Sequence, residues 1–172
     1  MVRKIESSDN PIFKLAGRLG SSHGIKKENK FLLSGLKIIK ELSVSDRGSL
    51  IETILINEEA EEETYLGFLK AIDPKKFFVL NRALFKQLDA INTGDVLAIC
   101  NFPDIPELDP ATPVSGLEVC LSLADPGNLG AAIRTCTAFN VIKIILTKEC
   151  AHPYLPKTVK ASSGTAIHAP IV

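Results

Sequence analysis

Four prolines, Pro103, Pro106, Pro110 and Pro113, fall within the stretch FPDIPELDPATPVSG, from Phe102 to Gly116. Proline fixes φ and has no backbone N–H, so this stretch is neither a regular helix nor a central strand. It reads as an extended linker between two domains, residues 1–101 and 117–172. Each side must then find its own core. A chain of 172 residues that is 45% hydrophobic supplies one comfortable core or two small ones.

Before the linker, apolar runs alternate with amphipathic ones. Asp9 or Asn10 is placed to cap a first helix, with Pro11 in its first turn and a stripe of Ile12, Leu15, Ala16 and Leu19. A loop through Gly20, Ser21, Ser22 and Gly24 leads to the basic run KKENK. KFLLS, IETILIN, KKFFVL and GDVLAIC read as strands, with LKIIKEL, EEAEEETYLGFLKAI and NRALFKQL as the helices between them. The alternation predicts an α/β fold with a mostly parallel sheet. After the linker, LEVCLSLA is a continuous apolar strand, LGAAIRTCTAFN a helix and VIKIILT the next strand. Lys157 to Ser162 reads as a short helix and TAIHAPIV as a third strand. That is half of an ordinary doubly wound sheet, so this domain is expected to be truncated at its C-terminus.

Charge excludes little. Lys+Arg and Asp+Glu are both 20, so only a local patch could favour a polyanion. Lys14, Arg18, Lys26, Lys27 and Lys30 form the best basic cluster, while Glu58 to Glu63 mark an acidic face. No apolar run approaches the ~20 residues that span a bilayer, and MVRKIESSDNP has no signal-peptide core, so a cytoplasmic protein is expected. Cys100, Cys120, Cys136 and Cys150 form no C-x-x-C pair, and Cys100 and Cys120 read as small hydrophobes in β-like runs. His23, His152 and His168 are too scattered to predict a metal site.

The run ADPGNLGAAIRTC, Ala124 to Cys136, carries the chemistry. A strand ends near Leu123, Pro126 and Gly127 force a turn, and Asn128 is expected to cap the helix. Gly130 is small enough for close helix packing. Asn128, Gly130 and Arg134 are expected together in the first turns, at the carboxyl end of a strand, where open α/β sheets bind ligands. The dinucleotide pattern G-x-G-x-x-G is absent, since Ile133 follows Gly127 and Gly130.

DPGNLGAAIRT resembles the first signature motif of the SpoU/TrmH-type RNA ribose 2′-O-methyltransferases, of the SPOUT class. VKASSGTAIHAPIV is similar to that family's later (R/K)-A-S-x-G segment. SSDNPIFKLAGRL, KFLLSGLKIIKEL and GDVLAICNFP resemble its N-terminal substrate-binding domain. Ser34 stands where many relatives carry Glu before the glycine matching Gly35. The family's downstream glycine-glutamate-glycine loop and S-L-N segment, which supply most of the cofactor pocket, have no counterpart here.

The resemblance implies an α/β/α RNA-binding domain, the linker, and the first half of a knotted parallel-sheet methyltransferase domain. It implies methyl transfer from S-adenosylmethionine to a ribose 2′-hydroxyl of rRNA or tRNA, by a cytoplasmic homodimer with no membrane or metal. Arg134 matches the arginine that assists the hydroxyl, and Asn128 the motif asparagine. Pro126, Gly127 and Gly130 shape the loop. Lys160 and Ser162 match the later segment and are expected at RNA, together with Lys14, Arg18, Lys26, Lys27 and Lys30. The alternative is a non-catalytic RNA-binding protein of the same descent.

Overall fold

In a computed structural model of the chain, residues 3–60, 72–103 and 105–172 are described. The expected helix over residues 58–72 falls largely on 61–71, outside the described residues. The chain divides into two compact units, Met1–Phe102 and Pro103–Val172.

The first unit is built on a five-stranded sheet in the order β1-β4-β3-β5-β2. Its strands are β1 (Arg3–Ile5), β2 (Lys30–Ser34), β3 (Ile51–Asn57), β4 (Phe77–Leu80) and β5 (Val96–Asn101). Helices α1 (Pro11–Arg18), α2 (Ser22–Glu28), α3 (Leu36–Ser43) and α4 (Arg82–Leu88) surround it. On one face Leu32, Leu55, Phe78, Leu97 and Ile99 form a core with Phe13 and Ala16 of α1 and Leu84, Phe85 and Leu88 of α4. The alternate residues Phe31, Leu33, Ile54, Ile56, Phe77, Val96 and Ala98 are buried as well. Burial on both faces explains why these strands read as unbroken apolar runs.

The α/β expectation holds, with differences in detail. The sheet of this unit is mixed: β1–β4 and β3–β4 are parallel, whereas β3–β5 and β2–β5 are antiparallel. The chain reverses between α4 and β5, and apolar patterning alone does not report strand sense. The predicted loop through Ser22 and Gly24 is the start of α2, because the Ser21 hydroxyl caps it by accepting from Gly24 N at 3.1 Å. A Cβ at Gly24 would lie 1.8 Å from the Arg18 carbonyl oxygen, so only glycine lets α2 leave α1 this closely. Of the two cap candidates for α1, Asn10 does the capping, accepting from Ile12 N at 2.9 Å. β1 has no apolar run to announce it, only Ile5 being buried.

The second unit is a β-α-β element followed by a short helix. β6 (Glu118–Leu121) and β7 (Lys143–Leu146) are parallel and joined by α5 (Pro126–Ala138). Glu118 and Lys143 pair across the ladder at 2.7 Å. Leu129, Ile133, Cys136, Val141, Ile144, Ala166 and Ile171 form the core. Cys120, expected to be a small core hydrophobe, is exposed on β6, whereas Cys100 is fully buried in β5 and burial pushes its thiol well above the ordinary range. α6 (Pro156–Ala161) falls where a short helix was expected. The strand expected over Thr165 to Val172 shrinks to its last residues. Thr165–Ile167 instead forms a 3-10 turn, and only then does Ile171 bridge Ile144, with Leu146 N donating to Val172 O at 3.1 Å. The described residues between Phe102 and Leu117 carry neither helix nor strand.

Candidate functional site

The β6–α5 junction is organised by Asp125, not by Asn128. Asp125 has extended backbone angles and its carboxylate accepts from Asn128 N at 2.8 Å. It is therefore the N-cap, Pro126 is the first helical residue, and Asn128 lies inside the first turn as the donor. The sequence signal was present: aspartate followed by proline at a helix start. Lys157, at the start of α6, reaches the same carboxylate at 3.3 Å. The Asn128 backbone hydrogen bond, then the Lys157 ammonium, hold the Asp125 carboxyl below the usual aspartate range.

α5 and α6 run side by side in the same direction, and Gly130 is the reason they can. A Cβ there would sit 2.4 Å from the Thr158 carbonyl oxygen and 2.7 Å from Ala161 Cβ. Gly127 meets Lys157 at one end of this seam, and Arg134 meets Ser163 at the other, with Arg134 Nη1 donating to Ser163 Oγ at 3.4 Å. Ser163 and Gly164 both have positive φ, 54° and 86°, which turns the chain sharply beside Arg134. A non-glycine residue in that region is uncommon and stays there only when its surroundings hold it.

This geometry separates residues that the sequence reading grouped. Arg134 is the ninth residue of α5, so it lies in the third turn and not in the first turns. Asn128 and Arg134 are about 9 Å apart along the helix axis and about 120° apart around it. Both are exposed. The structure instead joins Arg134 to the segment after α6, where Lys160 is exposed in the last helical turn. Ser162 is not a surface contact. It is fully buried, donates to Val159 O at 2.9 Å and accepts from Ala166 N at 3.3 Å. Its neighbour Ser163 presents the available hydroxyl. Lys157 and Ser163 were missed because they act across 32 and 29 residues of sequence, whereas Asp125 caps locally, three residues from Asn128.

The basic cluster of the first unit is partly consumed by ion pairs. Lys14 pairs with Asp9 at 2.7 Å and Arg18 with Glu28 at 2.7 Å. Lys30 is drawn against Glu52 and also donates to Asn101 at 2.9 Å, which ties it to the sheet. Lys26 and Lys27, in the last turn of α2, are exposed and have no acidic partner among the described residues. They are the open part of the cluster.

Residues 118–172 match the SpoU rRNA Methylase family. Over 96% of its length the chain is 31% identical to Ribosomal RNA small subunit methyltransferase G 2 of Syntrophobacter fumaroxidans, covering 32% of that protein. Over 99% of its length it is 26% identical to the 23S rRNA (guanosine(2553)-2'-O)-methyltransferase RlmP of Bacillus subtilis, covering 65% of it. Among solved structures, an rRNA methyltransferase from Sinorhizobium meliloti superposes with a TM-score of 0.75 at 25% identity, over 99% of this chain and 64% of that one. The chain thus spans from about a third to just under two thirds of these proteins.

Proposed function

We propose, from the match of residues 118–172 to the SpoU rRNA Methylase family, that the whole protein methylates a ribose 2′-hydroxyl of ribosomal or transfer RNA. The observation that carries the reading is the α5–α6 seam, which brings Arg134 of one motif against Ser163 of the other. Arg134 and Ser163 form an exposed hydrogen-bonded pair, with Lys160 exposed three residues earlier in the chain, suited to phosphate and ribose oxygens. Arginine is a poor base because its pKa exceeds ~12. Arg134 therefore binds the phosphate beside the reacting ribose and stabilises the negative charge that grows on the 2′-oxygen as its proton leaves. Gly130 sets the seam, and Pro126 and Gly127 set the loop before it. Asn128 acts at the loop end of α5, away from Arg134.

These residues do not fit the cofactor. S-adenosylmethionine supplies the methyl group from a positively charged sulfonium, which a guanidinium and an ammonium repel. No residue of this chain is assigned to hold it, since the family motifs to which the resemblance gives most of the pocket have no counterpart here. The first unit is the RNA-gripping domain, with Lys26 and Lys27 as its open phosphate contacts and Lys14, Arg18 and Lys30 available only by exchanging an acidic partner. The reading carries a cytoplasmic location and a homodimeric assembly with it. No helix among the described residues is long and apolar enough to cross a membrane.

The product tests this directly. After incubation of the whole protein with S-adenosylmethionine and rRNA or tRNA, alkaline hydrolysis should leave a labelled dinucleotide, because a 2′-O-methyl group blocks strand cleavage at that ribose. Label recovered only in mononucleotides would place the methyl on a base and refute the ribose assignment.

A further inference from the structure

An open cleft of about 390 Å³ lies in the first unit, lined by Asn57, Arg82, Phe85, Lys86, Asn92 and Asp95 among others. Its size falls in the ~300–1,000 Å³ range of small-molecule sites. Its position is informative. Asn57 ends β3, which has a parallel neighbour, β4, on one side and an antiparallel one, β5, on the other. The chain leaves β4, forms α4 and returns on the far side of β3 as β5. Crevices outside the carboxyl ends of strands, at such a change of direction, are where open α/β sheets bind ligands.

The wall between α4 and β5 is fixed in advance. Buried Asp89 accepts from the Thr93 hydroxyl at 3.0 Å and from Gly94 N at 2.8 Å. Buried Asn57 donates from Nδ2 to Gly94 O at 2.7 Å. Asn92 and Gly94 are held at positive φ, 52° and 84°. A loop already rigid loses little freedom on binding. At the opening, Arg82 and Lys86 stand one turn apart on α4 and share a face. Arg82 is paired with Glu59 at 3.3 Å in an exposed contact. Lys86, Asn92 and Asp95 have no side-chain partner among the described residues, and Phe85, which borders the cleft, is 2% exposed and packed into the core.

We propose that this cleft binds one unpaired nucleotide, with Asp95 accepting from the exocyclic amine of its base and Lys86, assisted by Arg82, holding its phosphate. A nucleotide carries the anion for the cations and the amino donor for the carboxylate. A base inside a duplex has its edge occupied, so the cleft selects a splayed-out, single-stranded residue. The proposal rests on the RNA reading above and adds a base-reading site in the first unit, apart from the Arg134 surface.

The test is fluorescence anisotropy of the full chain with labelled oligo(rC), oligo(rA) and oligo(rU), competed by free CMP, AMP and UMP. The wild type should prefer oligo(rC) or oligo(rA) over oligo(rU), which lacks an exocyclic amine, by about fivefold or more. Asp95→Ala, which removes the acceptor, should abolish that preference. Lys86→Gln, on the exposed side of α4, should weaken all three oligomers alike. Competition by CMP or AMP as effective as by the oligomers would identify a free nucleotide as the ligand; much weaker competition identifies an RNA strand. A preference that survives Asp95→Ala overturns the cleft. If Lys26→Gln with Lys27→Gln still weakens binding in that case, the RNA reading stands without it. Absence of oligomer binding overturns both.

Discussion

Asp125 shows how one residue joins two helices. Its carboxylate faces the N-terminus of α5, where the helix dipole favours a negative charge, and it also holds Lys157 of α6. Its folded pKa is depressed, so its contribution is present above the unfolded aspartate value and is lost as pH falls through the folded one. Asp125→Asn keeps a competent cap but cannot ionise. The melting temperature of the wild type should exceed that of the variant at neutral pH, and the gap should close as pH falls below about 4. A gap that stays constant across that range would remove the carboxylate charge from the account.

The seam between α5 and α6 depends on Gly130 far more than on Gly127. At Gly130 the nearest atoms to an added Cβ are backbone, which cannot move aside. At Gly127 the nearest is the Asp125 carboxylate at 3.0 Å, then the flexible end of Lys157. Gly130→Ala should therefore destabilise the protein by about 1–3 kcal/mol, the usual cost of overpacking, while Gly127→Ala stays within about 0.5 kcal/mol. Denaturant unfolding of both variants checks the order, and equal effects would contradict the close-packed seam.

What the sequence made legible at this scale follows from how local each signal is. β2, β3, β4 and β5 stood out because each is buried along nearly its whole length. α2 did not, since its Ser and Gly residues read as turn chemistry until the Ser21 cap and the Arg18 contact are seen. The sense of β5 and the truncated third strand depend on pairings between distant segments. In the site, Arg134 and Gly130 were legible from their motif, whereas their partners Ser163 and Thr158 lie across the seam. Ser162 was misread because a polar residue in a motif says nothing about which way its hydroxyl points.

Across the whole chain, two units of different chemistry are joined by a stretch whose described residues carry neither helix nor strand. The first carries open cations on α2 and a polar cleft at the end of β3. The second carries the arginine and the family match. On the proposed function this division gives RNA capture to one unit and 2′-oxygen activation to the other, so a change at Arg134 should slow the chemistry without loosening RNA. Arg134 is exposed and its side-chain hydrogen bond to Ser163, the one it makes among the described residues, is long, so truncating it leaves the fold nearly intact. The decisive measurement is single-turnover methyl transfer to RNA by the whole protein, wild type against Arg134→Ala, with RNA affinity measured in parallel. The account predicts a loss of about a hundredfold or more in rate, with RNA affinity changed by no more than a few-fold. An unchanged rate would remove Arg134 from the reaction.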